Sequence, residues 1–295
     1  MSALRRGKGW LAALLCLAML LACGHPQGTK AQAELTATVD PGQADTEEQS
    51  GTPEPTEEPT PEPTEEPTPE PTEEPTPEPT PEPTPDPDRL MVALTFDDGP
   101  NPNNTGRILD ILEQNGVKAT FFVLGTSISD NTAFQLQRMV DLGCEIGIHG
   151  QDHSNLTNMS YESQIRRHSN MKQILSERLG SDFTPKLMRP PGGNYGSDTL
   201  KAAKDSGLAV IIWSVDTLDW QNWSKETILS ICRKQIKNGS IVLFHDKIGA
   251  TVQAVEELVP WLKEQGYELV TVSELLESRG EPAEPGKLYF CKSFD

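Results

Sequence analysis

Cysteine, basic side chains and long apolar runs are all scarce in this chain. Five cysteines occur in 295 residues, with no CxxC or comparable zinc spacing, which excludes a disulfide-stapled miniprotein and a zinc ribbon. Cys16 lies inside the N-terminal apolar run and Cys23 follows it. That leaves Cys144, Cys232 and Cys291, an odd number that allows at most one disulfide in the folded part. Lys and Arg total 25 against 44 Asp and Glu, for a net charge of −19, so no basic surface is available for nucleic acid. The longest apolar run, residues 10–22, covers about 13 positions where a spanning helix needs ~20.

The charge is unevenly spread. Arg5, Arg6 and Lys8 precede the apolar run without any acid, which is the build of a secretory signal peptide over residues 1–22. The run ends in Leu20-Leu21-Ala22-Cys23, which resembles a bacterial lipobox and makes Cys23 the candidate for lipidation; an ordinary signal peptide with an incidental cysteine is the alternative. Two or three acyl chains anchor a protein stably. Residues 24–88 then hold 18 acids and one Lys, and 15 of the 25 prolines fall between Pro53 and Pro87. The octad PEPTEEPT occurs three times there. Proline removes backbone donors, like charges repel, and almost nothing is apolar, so residues 23–88 are expected to be a disordered or extended linker. A stalk reaching toward a cell-wall polymer is the preferred reading, beside a plain solubilising linker or a glycosylated one.

Residues 89–295 are only mildly acidic, with 26 acids and 21 bases. Short runs rich in β-branched residues recur at 90–96, 119–124, 145–149, 186–189, 209–215, 240–245 and 267–270, separated by helical periodicity that closes at Gly116, Gly143, Gly180, Gly207, Gly239 and Gly266. Seven strands alternating with about six helices predict a parallel α/β architecture, barrel or open sheet. The domain is expected over 89–280, with a tail over 281–295. Ionisable residues gather where strands end: Asp97 and Asp98, His149, Arg189, Asp216 and Asp219, and His245. In α/β folds that edge carries the active site.

Thr95-Phe96-Asp97-Asp98-Gly99 sets two carboxylates side by side, suited to one metal ligand and one general base, with a turn at Gly99 bringing both to one point; an ordinary turn signal is the bland reading. His149 and His153, four apart, have ligand spacing for a divalent metal that also takes a carboxylate. His245 is either a further ligand or a proton donor. Arg189 is a permanent cation that needs an acidic partner if buried. His25 and His168 read as solvated.

Together these segments resemble the polysaccharide deacetylase family with the NodB-homology domain, carbohydrate esterase family 4. TFDDG (95–99), HGQDH (149–153), RPPGG (189–193), DTLDW (216–220) and LFH (243–245) stand in the family's order. The resemblance implies a distorted (β/α)7 barrel and metal-dependent deacetylation of β-linked sugar polymers. It assigns Asp98, His149 and His153 to one divalent metal, Zn²⁺ by preference with Co²⁺ or another transition metal as alternatives. Asp97 would be the general base oriented by Arg189, and His245 the acid tuned by Asp219. Gly192 would supply an oxyanion N–H, with Trp220 and Leu243 walling the acetyl pocket. Two departures stand out: Gly150 where Ser or Thr is usual, and Gly192 where an aromatic is frequent.

The expected substrate is N-acetylated cell-wall glycan, peptidoglycan first, met by a lipid-anchored protein on the outer face of the membrane. Exopolysaccharide, chitooligosaccharide and acetylated xylan are alternatives within the chemistry, and an inactive glycan-binding lipoprotein is one outside it. A monomer is assumed.

Overall fold

The computed structural model describes residues 89–221 and 223–290. The expected signal segment, Cys23, the expected linker, His25 and Cys291 lie outside them. Among the described residues, nine strands form one parallel sheet in the order β6-β7-β1-β2-β3-β4-β5-β9, with β8 beside β1. They are β1 (Met91–Asp97), β2 (Thr120–Leu124), β3 (Glu145–Gly150), β4 (Leu187–Met188), β5 (Ala209–Ile211), β6 (Val215–Asp216), β7 (Ser240–His245), β8 (Glu268–Leu269) and β9 (Leu288–Tyr289). Seven helices connect them: α1 (Thr105–Asn115), α2 (Ala133–Asp141), α3 (Tyr161–Leu179), α4 (Ser197–Asp205), α5 (Lys225–Gln235), α6 (Gly249–Glu264) and α7 (Val272–Glu277). Among the described residues no helix is long and apolar enough to cross a membrane. Cys144 and Cys232 are buried free thiols.

The helices end and begin where their sequences provide caps. Gly116 takes φ 61° after α1 and returns its N–H to Leu112 and Glu113 carbonyls. Ser160 accepts from Ser163 N at the start of α3. α7 was not among the expected helices, yet it carries a reciprocal capping box: Thr271 N donates to Glu274 Oε2 at 2.9 Å and Glu274 N to Thr271 Oγ1 at 3.2 Å.

The expected parallel β/α arrangement is present, with two short strands added. The run 209–215 is not one strand. β5 pairs with β4 and β9, while β6 pairs with β7 at the other end of the sheet. Ile211 and Val215 are separated by four Cα steps, at most about 14 Å of extended chain, so the sheet must curl until its two ends nearly meet. Residues 212–214 bridge that seam, where Ser214 N donates to Ile241 O at 3.0 Å. The second addition is β9, contributed by the segment after residue 280, where apolar periodicity is too brief to read.

Alternation along the strands sorts side chains to two cores. Val92, Leu94 and Phe96 of β1 face the helices, with Val242 and Phe244 of β7. Phe96 stacks on Phe121 and Phe244 at centroid distances of 5.1 and 5.6 Å, pairs each worth about 0.5–1.5 kcal/mol beyond area burial. Met91, Ala93, Phe122, Leu187, Ala209, Ile211 and Ile241 fill the inner core. Period 2 therefore sends Thr95 and Asp97, His149, Arg189, Trp213 and His245 to the interior face at the strands' C-terminal ends.

Candidate active site and metal centre

Asp97 and Asp98 are adjacent yet reach one site because the backbone turns at Asp98, whose φ is 77°. The turn lies there and not at Gly99, as the sequence had suggested. A left-handed non-glycine residue is uncommon and costs of order 1 kcal/mol or more, and such strain clusters at functional sites. Gly99 has a different duty. A Cβ on it would lie 1.9 Å from Asp246 Oδ2, so only glycine lets the loop lie on that buried carboxyl.

Asp98 Oδ1 lies 3.5 Å from His149 Nε2 and 3.7 Å from His153 Nε2. One ligand atom from each of the three residues falls within 4.8 Å of the others. His149 Nδ1 is 2.9 Å from the Arg189 carbonyl, which accepts from it and fixes the tautomer with Nε2 aimed at Asp98. Burial pulls His149 below its ordinary pKa, against Asp97 and Asp98, so its ring is neutral and Nε2 keeps a lone pair. Two atoms in this group, Asp98 Oδ1 and His149 Nε2, are buried with no hydrogen-bond partner. Orphaned acceptors are costly, and two imidazoles with a carboxylate are the donor set that divalent transition metals take. The residues fit such an ion. His153, half exposed, leaves the group open on one side.

Asp97 is held by a different partner. Arg189, wholly buried, donates from one terminal nitrogen to Asp97 Oδ1 and to Thr95 Oγ1, each at 2.8 Å. Its other nitrogens point to the carbonyls of Ile211 and Ile212 at 3.3 and 3.4 Å, at the end of neighbouring β5. The guanidinium lies 4.2 Å from the Phe122 ring centroid and 5.6 Å from that of Trp213. Asp97 Oδ2 is thereby left toward the metal group, 3.7 Å from His149 Nε2.

His245 lies across the cavity. Its Nδ1 is 2.7 Å from Asp219 Oδ1, while Asp219 Oδ2 accepts from His245 N at 2.8 Å and Thr251 Oγ1 at 2.6 Å. Burial lowers the imidazole's pKa, but the Asp219 hydrogen bond and charge outweigh it, with Asp97 and Asp98 adding, and the net shift is upward. The cavity between these groups holds about 400 Å³, and Gly192, Trp213, Asp216, Trp220, Leu243 and Lys247 complete its wall. Gly192 and Gly193 take φ 64° and 69°. Gly150, at φ 137°, has no room for a Cβ against the Asp152 carbonyl, so the Ser or Thr frequent there would strain this loop.

Asp98, His149 and His153, the expected metal ligands, line this cavity with Asp97, His245, Gly192, Trp220 and Leu243, whereas Arg189 and Asp219 stand behind its wall, bonded to Asp97 and His245. His168 does not behave as expected. It is buried, not solvated, with Nδ1 3.0 Å from Ser206 Oγ, because α3 turns that face toward α4. Sequence reasoning missed Lys247, whose Nζ is 2.6 Å from Asp98 Oδ2. Burial pushes Asp98 up, but Lys247, His149 and His245 together hold it below the usual carboxylate range. It also missed Trp213, hidden inside a supposed strand. Asp246 is buried, bonded by Thr105, and pushed up to about 7 by burial and by Asp98 and Asp97. Lys247 follows His245 by two residues, which was the available signal.

A curled parallel barrel whose C-terminal edge gathers two imidazoles, a carboxylate and two further braced proton-transfer groups is the frame of a hydrolase. The family described as Polysaccharide deacetylase matches residues 84–211. A peptidoglycan-N-acetylglucosamine deacetylase of Bacillus cereus is 38% identical over 191 residues, covering 63% of this chain and 88% of that protein. The chain belongs to the polysaccharide deacetylase family. Peptidoglycan-N-acetylglucosamine deacetylase PgdA of Listeria monocytogenes is 37% identical over 202 residues, 68% of this chain but only 41% of that protein. The chain also resembles a solved family 4 acetyl xylan esterase from Clostridium thermocellum in complex with a cobalt ion. There the TM-score is 0.64 and the identity 32%, over 69% of this chain and all of that one.

Proposed function

We propose that this protein is a metal-dependent deacetylase that hydrolyses acetyl groups from N-acetylated amino sugars of a cell-wall polysaccharide, peptidoglycan first. The observation that carries it is the pairing of a metal-ligand group, Asp98, His149 and His153, with an Arg-held carboxylate and an Asp-held imidazole on one cavity. The names of the similar proteins support the choice of peptidoglycan. A signal peptide, lipidation at Cys23 and an extracytoplasmic position on the membrane's outer face belong to the same reading.

Asp98 Oδ1, His149 Nε2 and His153 would hold the ion. Zn²⁺ suits this set best and Co²⁺ is tolerated; when bound, such an ion acidifies water and polarises a carbonyl. Asp97 Oδ2 accepts the proton of the attacking water, while Arg189 on Oδ1 keeps the carboxylate aimed. His245 delivers a proton to the departing nitrogen, since an amine is a poor leaving group until protonated. Asp219 holds the imidazolium through Nδ1, so that Nε2 is the donating nitrogen. The N–H of Gly192 can meet charge developing on the acetyl oxygen, an effect typically worth about 2.7–4 kcal/mol per donor. Trp220 and Leu243 shape the space for the methyl group. The products are acetate and a free amine, and one water is consumed.

The test is acetate release from N-acetylated glycan by the full chain. Release abolished by chelator and restored by Zn²⁺ or Co²⁺ supports the reading. Metal-loaded protein that binds glycan but frees no acetate would leave a binding protein in its place.

A further inference from the structure

The segment after residue 280 brings an aromatic side chain to the rim of the site. β9 lies parallel to β5 with Ile211 opposite Tyr289, and Ile212 N donates to Tyr289 O at 3.0 Å. Parallel strands end on one edge, so Phe290 emerges at the edge that carries Asp97, His149 and His245. Its ring is 50% exposed and lies 6.3 Å from that of Tyr195, at an interplanar angle of 57°. Tyr195 is itself 36% exposed and sits on the loop that carries Gly192 into the cavity wall. That loop rests on Trp213: a Cβ on Gly193 would come within 2.8 Å of the indole, and Trp213 lines the cavity. Tyr195 and Phe290 thus stand outside the cavity, beyond the glycine loop that rests on Trp213 in its wall.

Two large rings left partly open near a cavity hold apolar surface that a further contact would bury, and exposed apolar patches mark interaction sites. Trp220, 53% exposed, already supplies an aromatic wall to the cavity itself. The cavity of about 400 Å³ is at the small end for ligand sites and leaves the rest of a polymer to lie across the rim. A pyranose ring presents an apolar C–H face and polar edges, which match an open aromatic face and a Tyr hydroxyl.

We infer that Tyr195 and Phe290 form an outlying sugar subsite that takes a neighbouring pyranose unit of the same glycan chain. The inference rests on the deacetylase reading above and deepens it: the substrate is a polymer, and the segment after residue 280 is part of its binding surface. The subsite adds affinity for long chains and none for a disaccharide confined to the cavity.

The test uses the full chain carrying Asp97→Asn, so that binding is read without turnover, with N-acetylchitobiose and N-acetylchitohexaose in calorimetry. Phe290→Ala and Tyr195→Ala should each weaken hexaose binding about tenfold, equal to about 1.4 kcal/mol, and reduce the hexaose preference by the same factor. Phe290→Leu keeps apolar bulk but removes the ring face and should show the same loss. Hexaose affinity within twofold of the parent in Phe290→Ala overturns the subsite. So does equal weakening of both sugars, or full affinity in Phe290→Leu, since each would mark a packing role. Acetate assays on the unsubstituted chain separate the two readings. No acetate together with a hexaose preference that depends on Phe290 would end the deacetylase reading and leave the subsite standing.

Discussion

Asp219→Asn is the perturbation that most directly examines the proton-transfer scheme. Asp219 is wholly buried and only accepts: from His245 N, from Thr251 Oγ1, and from His245 Nδ1 at 2.7 Å. Asparagine keeps the shape but turns one acceptor into a donor, so at least one buried N–H or O–H loses its partner, at about 1–3 kcal/mol of stability. The catalytic effect should be larger. Without the carboxylate charge the upward shift of His245 is lost, and its acid form is scarcer at the pH of the assay. A positioned general acid contributes about 10²–10⁴-fold, so kcat should fall by that factor, or about 3–5 kcal/mol of barrier. The alkaline limb of the pH–rate profile should move to lower pH, because a raised imidazole pKa is being restored downward. Acetate release across pH, with metal content measured by mass spectrometry on the same samples, reads all of this. Activity within threefold of the parent would refute the acid role of His245. Loss of the metal would show instead that His245 serves as a ligand.

The remaining expectations concern the ion, the loop under it and a buried histidine. His149→Ala should abolish tight binding of one Zn²⁺ equivalent, whereas Asp97→Asn should retain the metal and lose most turnover; metal loss in Asp97→Asn would reverse the assignment of the two acids. Gly99→Ala sets a methyl against Asp246 and should cost about 1–3 kcal/mol by urea unfolding. The double change with Asp246→Ala should recover part of that loss, and strict additivity would refute the steric account. Burial holds His168 down at about 4 in the folded chain, against about 6.5 unfolded. Its neutral form stabilises the fold above pH 6.5, and that contribution fades as pH falls from 6.5 toward 4, by about 3 kcal/mol in all. The stability gap between the parent and His168→Asn should therefore narrow between pH 7 and 4.5, and a constant gap would show that His168 does not titrate this way.

Lys247 offered only its place two residues after His245 as a signal, and Trp213 offered none. Lys247 stands where a surface lysine would pass unnoticed, and only the folded chain shows its ammonium 2.6 Å from Asp98. Trp213 sat inside an apolar run that looked like one strand. Period-2 patterning cannot report that a chain has left one end of a sheet and joined the other, because hydrophobicity is the same on both sides of the seam. β9 is two residues long, too short to carry a period. α7, by contrast, is announced by Thr271-x-x-Glu274, a capping signal, although the helix is only 6 residues long.

The amino-acid sequence by itself determined the strand–helix alternation, the caps, and the identity of the residues at the strand ends. These are local properties: a C′ glycine, an apolar period and a short motif act over a few residues. Tertiary structure alone decided that the sheet curls into a barrel sealed by residues 212–214. It also decided that Arg189, at the end of β4, reaches Asp97 on β1, and that Asp98, His149 and His153 converge although 55 positions separate the first from the last. Convergence of that kind depends on strand order and sheet curvature, which are set by the packing of the whole domain and by no single segment of it.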